Sequence, residues 1–172
     1  VIGGLNPITF FKKMKDVVLF AFSTSSSAAT IPVTLKTANQ DLGVNQNVAS
    51  FVVPVGATIN MDGTAIMQGL ATVFIAQMSG IDLTLFQYMQ VVLLAVATSI
   101  GTAAVPSAGT ITLIIILQQF NLPLEAIGII LAVDRVLDMI RTSVNVTGDA
   151  AIACIVAKTE NQLDENIFNS KA

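Results

Sequence analysis

The residues that could do chemistry lie together near the end of the chain, in a segment that fits the period of a helix. At about 100° per residue, six polar side chains fall within an arc of roughly 100°: Asp134, Asp138, Arg141, Thr142, Asn145 and Asp149. The sequence as a whole is 53% hydrophobic and only 11% charged. We therefore expect this polar stripe to face a protein interior or a water-filled cavity.

The residue types in the polar stripe indicate a ligand that carries charges of both signs. Arg141 is a permanent cation whose planar group suits a carboxylate. Asp138, three residues earlier, has the wrong sign for a carboxylate and suits an ammonium group. Thr142 and Asn145 add neutral hydrogen bonds, so an acidic amino acid fits the set. The alternative is an Asp138–Arg141 ion pair that only neutralises itself.

Oxygen donors in the same chain predict a site for a hard monovalent cation. Asn60, Asn145 and Asp149 supply amide and carboxylate oxygens, backbone carbonyl groups of an unwound turn would add to them, and Asp62 offers a second such site. The chain has no His and one Cys, Cys154, in an apolar run. These counts exclude an internal disulfide and His-based nucleophilic or metal chemistry. We interpret Cys154 as a packing residue.

The composition is that of a membrane protein. There are 8 Lys and Arg and 11 Asp and Glu residues, and a helical crossing needs about 20 apolar residues. The charge-free runs are 17–35, 42–61, 63–81 and 83–124. The net charge of −3, with no Trp and no long basic tract, argues against a nucleic-acid partner. Because the chain opens on Val1 without a signal segment, we expect the C-terminal part of a longer protein.

These runs predict an all-α membrane protein with two re-entrant helical hairpins and two transmembrane helices, one of them unwound in the middle. The predicted intervals are 1–41 for the first re-entrant hairpin, 42–82 for the broken transmembrane helix, 83–121 for the second re-entrant hairpin, 122–160 for the polar-faced transmembrane helix and 161–172 for a cytoplasmic tail. Residues 1–16 read as a polar leading stretch, and the tail reads as frayed.

Each predicted hairpin turns at a tip that is poor in charge. The first tip is the Ser-rich run 23–29, whose apolar arms are each too short to cross a bilayer. The second tip is 99–109, which contains Pro106. The alternatives are a soluble Ser/Thr-rich loop for the first tip and an aqueous loop between two crossings for the second. We expect the broken helix to unwind over Asn60–Thr64.

The distribution of basic residues predicts that both ends of the chain lie in the cytoplasm. The connections 79–84 and 120–125 contain no Lys or Arg. Under the predicted plan, one side of the membrane receives Lys12, Lys13, Lys15, Lys36, Lys158 and Lys171. This asymmetry follows the positive-inside rule for a multi-pass protein of the cell membrane. Paired interruptions in the two halves indicate an inverted repeat with a site near the midplane.

Four motifs together resemble the glutamate transporter family, the dicarboxylate/amino acid:cation symporters. The motifs are the Ser25–Ser27 tip, the Asn60–Thr64 break, the Gly101–Gly109 tip and the Asp138–Asp149 segment of the last helix. Their order and spacing match over nearly the whole chain. The resemblance implies the transport core of that family, formed by its first hairpin, seventh helix, second hairpin and eighth helix. It also implies N-terminal scaffold helices outside this chain and a homotrimer.

The resemblance implies sodium-coupled symport of aspartate or glutamate by alternating access, with the second hairpin as a gate and no organic cofactor. The implied substrate contacts are Ser26, Thr64, Val105, Gly109, Asp138, Arg141, Thr142 and Asn145. The implied sodium ligands are Gly56, Asn60, Asn145 and Asp149 at one site, carbonyl groups of Thr58, Ser99, Ile100 and Thr102 at a second, and Asn60 and Asp62 at a third.

Some positions depart from the family pattern. Thr24 stands where archaeal relatives carry Arg, and Met139 stands where mammalian relatives carry Arg, with Arg135 as another source of that charge. Gln68 replaces the Glu of potassium-exchanging animal transporters, which argues against that exchange. The alternative functions are a proton-coupled dicarboxylate symporter and an anion-conducting channel. An enzyme is disfavoured, because Asp138 and Asp149 are about 16 Å apart by helix rise.

Overall fold

The computed structural model describes residues 2–170 and is all-α, as predicted. Val1, Lys171 and Ala172 lie outside the described residues. Short 3-10 turns occupy Ile2–Gly4 and Leu124–Ala126. The α-helices are α1 (Pro7–Thr24), α2 (Ser27–Gln40), α3 (Gln46–Ile59), α4 (Asp62–Met78), α5 (Leu85–Ile100), α6 (Ala108–Gln119), α7 (Ile127–Thr159) and α8 (Glu165–Asn169).

Helices α1 and α2 form the first hairpin, which turns within two residues. Ser25 takes the left-handed conformation with φ of 51°, and the Ser26 hydroxyl accepts a hydrogen bond from the Ala29 backbone N–H at 3.2 Å. Ser26 therefore caps the start of α2. The three serines of the tip are buried, with 1% to 9% of their surface exposed. This burial argues against a solvated loop at the tip, while the re-entrant placement in a membrane stays a prediction.

The leading stretch is largely helical, which differs from the expected polar loop over residues 1–16. The Asn6 side chain accepts a hydrogen bond from the Ile8 backbone N–H at 2.9 Å, and Pro7 occupies the first helical position. Proline suits that position because its missing N–H would have no helical partner there. Helix α1 consequently begins well before the apolar run, and it carries Lys13 into a buried position.

The broken helix is interrupted over two residues, a shorter break than Asn60–Thr64. Asn60 and Met61 have non-helical backbone angles, whereas α4 already begins at Asp62. The Met61 side chain makes no capping hydrogen bond to α4. The Asn145 side chain of α7 takes this role instead and accepts a hydrogen bond from the Gly63 backbone N–H at 2.8 Å. A buried N–H of the first turn, which has no partner within α4, is thereby satisfied by another helix.

Helices α5 and α6 form the second hairpin, with lengths of about 24 and 18 Å. Helix α5 starts with a capping box between Thr84 and Gln87. The connecting residues 101–107 turn back toward the first tip, where the Ala104 carbonyl accepts a hydrogen bond from the Ser26 hydroxyl at 2.9 Å. Thr102 is buried. Gly101, Ala103, Val105 and Pro106 of this tip are exposed, so the choice between a re-entrant tip and an aqueous loop stays a prediction.

Helix α7 is the central element, and it packs against α1, α2, α3 and α4. It begins at Ile127, after a 3-10 turn in the region where the sequence predicts its start. The chain then reverses, and α8 places Phe168 in a fully buried position beneath α1. The expectation of a frayed tail is wrong for residues 161–170. The buried Phe168 ring and the backbone hydrogen bonds of this segment hold it in place.

The outer surface of the helices is strongly apolar. Leu85 is 79% exposed, Phe51 70% and Leu70 68%. Two buried clusters lie beneath this surface, one around α1 and α3 and the other around α4 and α6. Within residues 2–170, none of the helices combines the length and the apolar character needed to cross a membrane.

Gln68 of α4 connects both arms of the second hairpin. Its side chain is fully buried, donates hydrogen bonds to the Gly109 carbonyl at 3.0 Å and the Thr112 hydroxyl at 2.7 Å, and accepts one from the Thr98 hydroxyl at 2.9 Å. All polar atoms of this amide side chain are thus engaged. Gln68 is the polar cross-link that holds α5 and α6 against α4.

We predict that Gln68→Leu lowers the free energy of unfolding by about 1–3 kcal/mol, because polar groups of α5 and α6 lose a buried partner. The matched control is Gln90→Leu, since Gln90 is exposed on α5. Thermal unfolding of the purified full-length protein measures both. Equal unfolding midpoints for the two variants would contradict the cross-link.

Candidate functional site

All six residues of the polar stripe are buried, as the prediction of an inward-facing surface requires. Asp134, Asp138, Arg141, Thr142, Asn145 and Asp149 are each 5% exposed or less. The intervening residues Val136, Ile140 and Val144 are exposed on the opposite side of α7. Helix α7 thus turns its charged surface toward the other helices and its apolar surface outward.

Asp138 and Arg141 form a buried ion pair at the centre of the molecule. The Arg141 Nε donates to Asp138 Oδ1 at 3.1 Å, and the Arg141 Nη2 donates to the same oxygen. The other carboxylate oxygen, Oδ2, accepts a hydrogen bond from the Ser107 backbone N–H at 2.8 Å. Asp138 is therefore held by its own helix and by the second hairpin at once.

Two polar atoms at this centre have no hydrogen-bond partner among the described residues. They are the Arg141 Nη1 and the Ser25 hydroxyl oxygen, and both are buried. An unsatisfied buried donor is costly, and more so on a charged group. A Cβ added at Gly109 would lie 2.6 Å from Arg141 Nη1, so only glycine leaves space beside this nitrogen. The guanidinium thus presents one unpaired edge toward the second tip.

The space between the two tips and α7 is almost closed. It forms a cavity of about 10 Å³, which is at the lower limit of the space that holds one water. The two tips are in direct contact, since the Ala104 carbonyl accepts hydrogen bonds from the Ser26 hydroxyl at 2.9 Å and the Ala28 backbone N–H at 3.2 Å. A ligand of amino-acid size would require the tips to separate and the ion pair to rearrange.

The structure brings the predicted substrate residues to this one place. Around the cavity lie Thr64, Val105, Gly109, Asp138, Arg141, Thr142 and Asn145. Ser26 lies beside the cavity at the contact between the tips, and its neighbours Ser25 and Ser27 line the cavity. Their contact with a substrate stays a prediction. Arg135, by contrast, is exposed and is not among the lining residues.

A second polar group surrounds the break between α3 and α4, next to the cavity. Asn60 Nδ2 donates to Asp149 Oδ1 at 3.1 Å. The backbone at Gly56 lies so close to Asp149 that an added Cβ would be 2.6 Å from Oδ1. A Cβ at Gly148 would lie 2.5 Å from Asn60 Nδ2 and 3.2 Å from Asp62 Oδ2. The Asp149 and Asp62 carboxylates thus lie near the Asn60 amide, which turns its nitrogen to Asp149, and hard cations prefer the oxygens of such groups.

The predicted ligands of the second sodium site lie at the ends of two helices in contact, α3 and α5. Thr58 is in the last turn of α3, while Ser99 and Ile100 end α5. Thr102 follows, and its backbone N–H donates to the Ser99 carbonyl at 3.1 Å. The carbonyl groups at a helix C-terminus carry partial negative charge and favour cations. Metal binding by these residues stays a prediction.

Asn145 connects the two polar groups. Its side-chain oxygen accepts from the Gly63 N–H at 2.8 Å, and its side-chain nitrogen donates to the Thr64 hydroxyl at 3.2 Å. Thr64 lines the cavity, whereas Asn60 contacts Asp149 only a few residues earlier. The start of α4 therefore lies between the Asn60–Asp149 contact and the cavity.

Sequence reasoning missed several side chains that position the site. The Thr110 hydroxyl donates to Asp134 Oδ1, which ties α6 to α7. Gln68, Thr98 and Thr112 hold the second hairpin against α4. An amide in an apolar helix is a usable signal for Gln68, because burial of such a group demands partners. The threonines give no signal, since they also occur widely on apolar helices.

The fold and the site together define an all-α helical core, in which a buried ion pair lies beneath two helical tips. The sequence profile of the sodium:dicarboxylate symporter family matches residues 1–159. The chain therefore belongs to the sodium:dicarboxylate symporter family.

The curated relatives include excitatory amino acid transporters of animals. The chain is 47% identical to the excitatory amino acid transporter of Caenorhabditis elegans over 151 residues, which is 88% of this chain and 30% of the relative. It is 47% identical to excitatory amino acid transporter 2 of Homo sapiens over 156 residues (91% and 27%) and 48% identical to excitatory amino acid transporter 3 of Mus musculus over 167 residues (96% and 32%). The chain thus spans about a third or less of these relatives.

We predict that Gly56→Ala weakens sodium binding by about tenfold or more, because the new methyl group displaces the Asp149 carboxylate. The control is Gly69→Ala in α4, where an added Cβ meets no atom within 4 Å. Sodium titration by calorimetry of the full-length variants measures the effect. Sodium affinity equal to that of Gly69→Ala would remove Gly56 and Asp149 from the cation site.

Proposed function

We propose that this chain is the transport core of a sodium-coupled symporter that carries aspartate or glutamate by alternating access. The observation that supports the proposal best is the buried Asp138–Arg141 pair, whose guanidinium keeps one unpartnered nitrogen beneath the two tips. Membership of the sodium:dicarboxylate symporter family and the names of the relatives agree with this function.

Substrate binding in this proposal is an exchange of partners. The side-chain carboxylate of the substrate takes the Arg141 guanidinium, including its unpaired Nη1, and the substrate ammonium group takes Asp138. Thr142 and Asn145 add hydrogen bonds, and the backbone groups near Ser26 and Gly109 approach from the tips. A ligand with both charges leaves neither Asp138 nor Arg141 unpaired, which avoids the cost of a bare buried charge.

Sodium binding is coupled to the substrate through the start of α4. Sodium held by Gly56, Asn60, Asn145 and Asp149 would fix the break between α3 and α4, and the same break positions Thr64 beside the substrate. Further sodium ions would use the carbonyl groups of Thr58, Ser99, Ile100 and Thr102, and the Asn60–Asp62 region. Because binding linkage is reciprocal, the substrate would raise sodium affinity by the same factor.

The membrane arrangement belongs to the same proposal. The intervals 1–41 and 83–121 are re-entrant hairpins, 42–82 and 122–160 cross the bilayer, and 161–172 lies with the chain start on the cytoplasmic side. The exposed apolar side chains would contact lipid and the N-terminal scaffold helices of a homotrimer. No organic cofactor and no catalysis are part of this function. The competing functions are a proton-coupled dicarboxylate symporter and an anion-conducting channel.

We predict that Arg141→Cys lowers the affinity for aspartate by about 100-fold or more, because the substrate carboxylate loses a buried charged donor. Arg135→Cys is the matched control, since Arg135 is exposed on the same helix. Aspartate uptake into liposomes containing the full-length protein measures both variants. Aspartate transport retained by Arg141→Cys would refute the assigned carboxylate contact.

We also predict that the apparent affinity for aspartate rises by about fivefold or more across a sodium titration, as coupled sites require. Calorimetry of the full-length protein with aspartate, glutamate and succinate, each with and without sodium, measures this coupling. Aspartate affinity that depends on pH and not on sodium would favour the proton-coupled symporter. Flux without accumulation against a gradient would favour the channel.

A further inference from the structure

The segment that follows α7 lies across the open end of the first hairpin. The Asp164 backbone N–H donates to the Gly43 carbonyl at 2.8 Å, and the Asn45 backbone N–H donates to the Gln162 carbonyl at 3.0 Å. Val44 and Leu163 form an isolated antiparallel bridge between these bonds. Residues 160–170, called the strap below, are thus paired with the connection between α2 and α3.

Lys13 binds the strap to both arms of the first hairpin. Its ammonium group donates to the Asp41 carbonyl at 2.8 Å, the Ile167 carbonyl at 2.6 Å and the Ser170 hydroxyl at 3.1 Å. An ammonium group has three donors, and all three are used. Lys13 is 9% exposed, whereas its neighbours Lys12 and Lys15 are exposed. A buried lysine with three neutral partners on two segments distant in sequence indicates a specific contact rather than a solvated surface charge.

Two features make the strap fit closely against this end of the hairpin. Phe168 is fully buried and packs in the cluster that includes Phe10, Met14 and Leu42. Gly43 has φ of +74°, and a Cβ there would lie 2.4 Å from the Asp164 carbonyl oxygen. The close approach of the strap backbone to Gly43 therefore requires glycine at this position.

The open end of the second hairpin has no comparable fastening within residues 2–170. At its open end, the hydrogen bonds join near neighbours, as between Thr84 and Gln87 and between Leu122 and Leu117. Its remaining contacts there are apolar, through Leu122 and Ala126. The two hairpins, similar in their tips, are thus held very differently at their open ends.

We propose that the strap fixes the open end of the first hairpin to α7 as one rigid unit, a fastening that the open end of the second hairpin does not share. Local opening is easiest where few buried contacts and hydrogen bonds must break. If the proposed transport function holds, release of the strap lets the first hairpin open toward the side of the chain ends. Bound substrate would then leak to that side.

Hydrogen exchange of the full-length protein tests the strap independently of transport. In Phe168→Ala and Lys13→Met, we expect amides of 7–40 to exchange about tenfold faster, and those of 85–119 to keep their rates. The controls are Phe11→Ala and Lys12→Met, which change exposed residues of the same helix. Unchanged exchange in 7–40, or an equal increase in both hairpins, would overturn the proposal.

Phe168→Leu keeps much of the buried volume and serves where Phe168→Ala does not fold. It should give a smaller rise in amide exchange rate, confined to 7–40. An unchanged exchange rate in 7–40 would contradict the proposed fastening.

A transport measurement separates this proposal from the function on which its consequence rests. Strap variants in liposomes should bind aspartate with unchanged sodium dependence but reach a lower accumulated level, because efflux rises. Absence of sodium-driven uptake in the unmodified protein would refute the proposed function. The hydrogen-exchange rates would still show whether the strap fixes the first hairpin. Normal accumulation with faster exchange in 7–40 would refute the predicted leak and support the fastening.

Discussion

The ion pair between Asp138 and Arg141 is the constraint on which the arrangement of the helices depends. A single charge at the centre of a bilayer-like interior costs about 3 kcal/mol on the insertion scale, and loss of one partner from a buried pair costs about 3–5 kcal/mol. Both charges must therefore keep partners at all times. The Ser107 backbone N–H supplies one of these partners, which brings the second hairpin onto α7. The first tip then covers the same place, because the Ser26 hydroxyl donates a hydrogen bond to the Ala104 carbonyl of the second tip.

The break between α3 and α4 follows from the same requirement. A continuous helix would satisfy its own backbone and offer few polar groups to α7. The two non-helical residues leave the first N–H groups of α4 available, and Asn145 binds one of them. Glycine at positions 56 and 148 lets Asp149 and Asn60 approach backbone closely enough to share contacts. The polar stripe is thus matched, group by group, by an interruption in the facing helix.

Much of this arrangement is predictable from sequence, because it depends on the balance of apolar and charged residues. The inward orientation of the polar stripe follows from its helical period, and the tips follow from charge-free turns between short apolar arms. The strap is not predictable in this way. Its residues are polar and resemble a tail, and Lys13 resembles a solvated charge, because their partners lie more than a hundred residues away in sequence. Hydropathy reports local transfer free energy and carries no information on such contacts.

If the proposed function holds, the same argument limits which ligands suit the site once the tips have separated. A dicarboxylate without an ammonium group could pair with Arg141, but it would place a further negative charge beside Asp138 and leave that carboxylate without its cation. A neutral amino acid would pair with Asp138 and leave Arg141 unsatisfied. Only a ligand with an ammonium group and an additional carboxylate replaces both halves of the ion pair at once. The tips can then close over a site whose charges remain paired, which is the condition for moving such a site through an apolar environment.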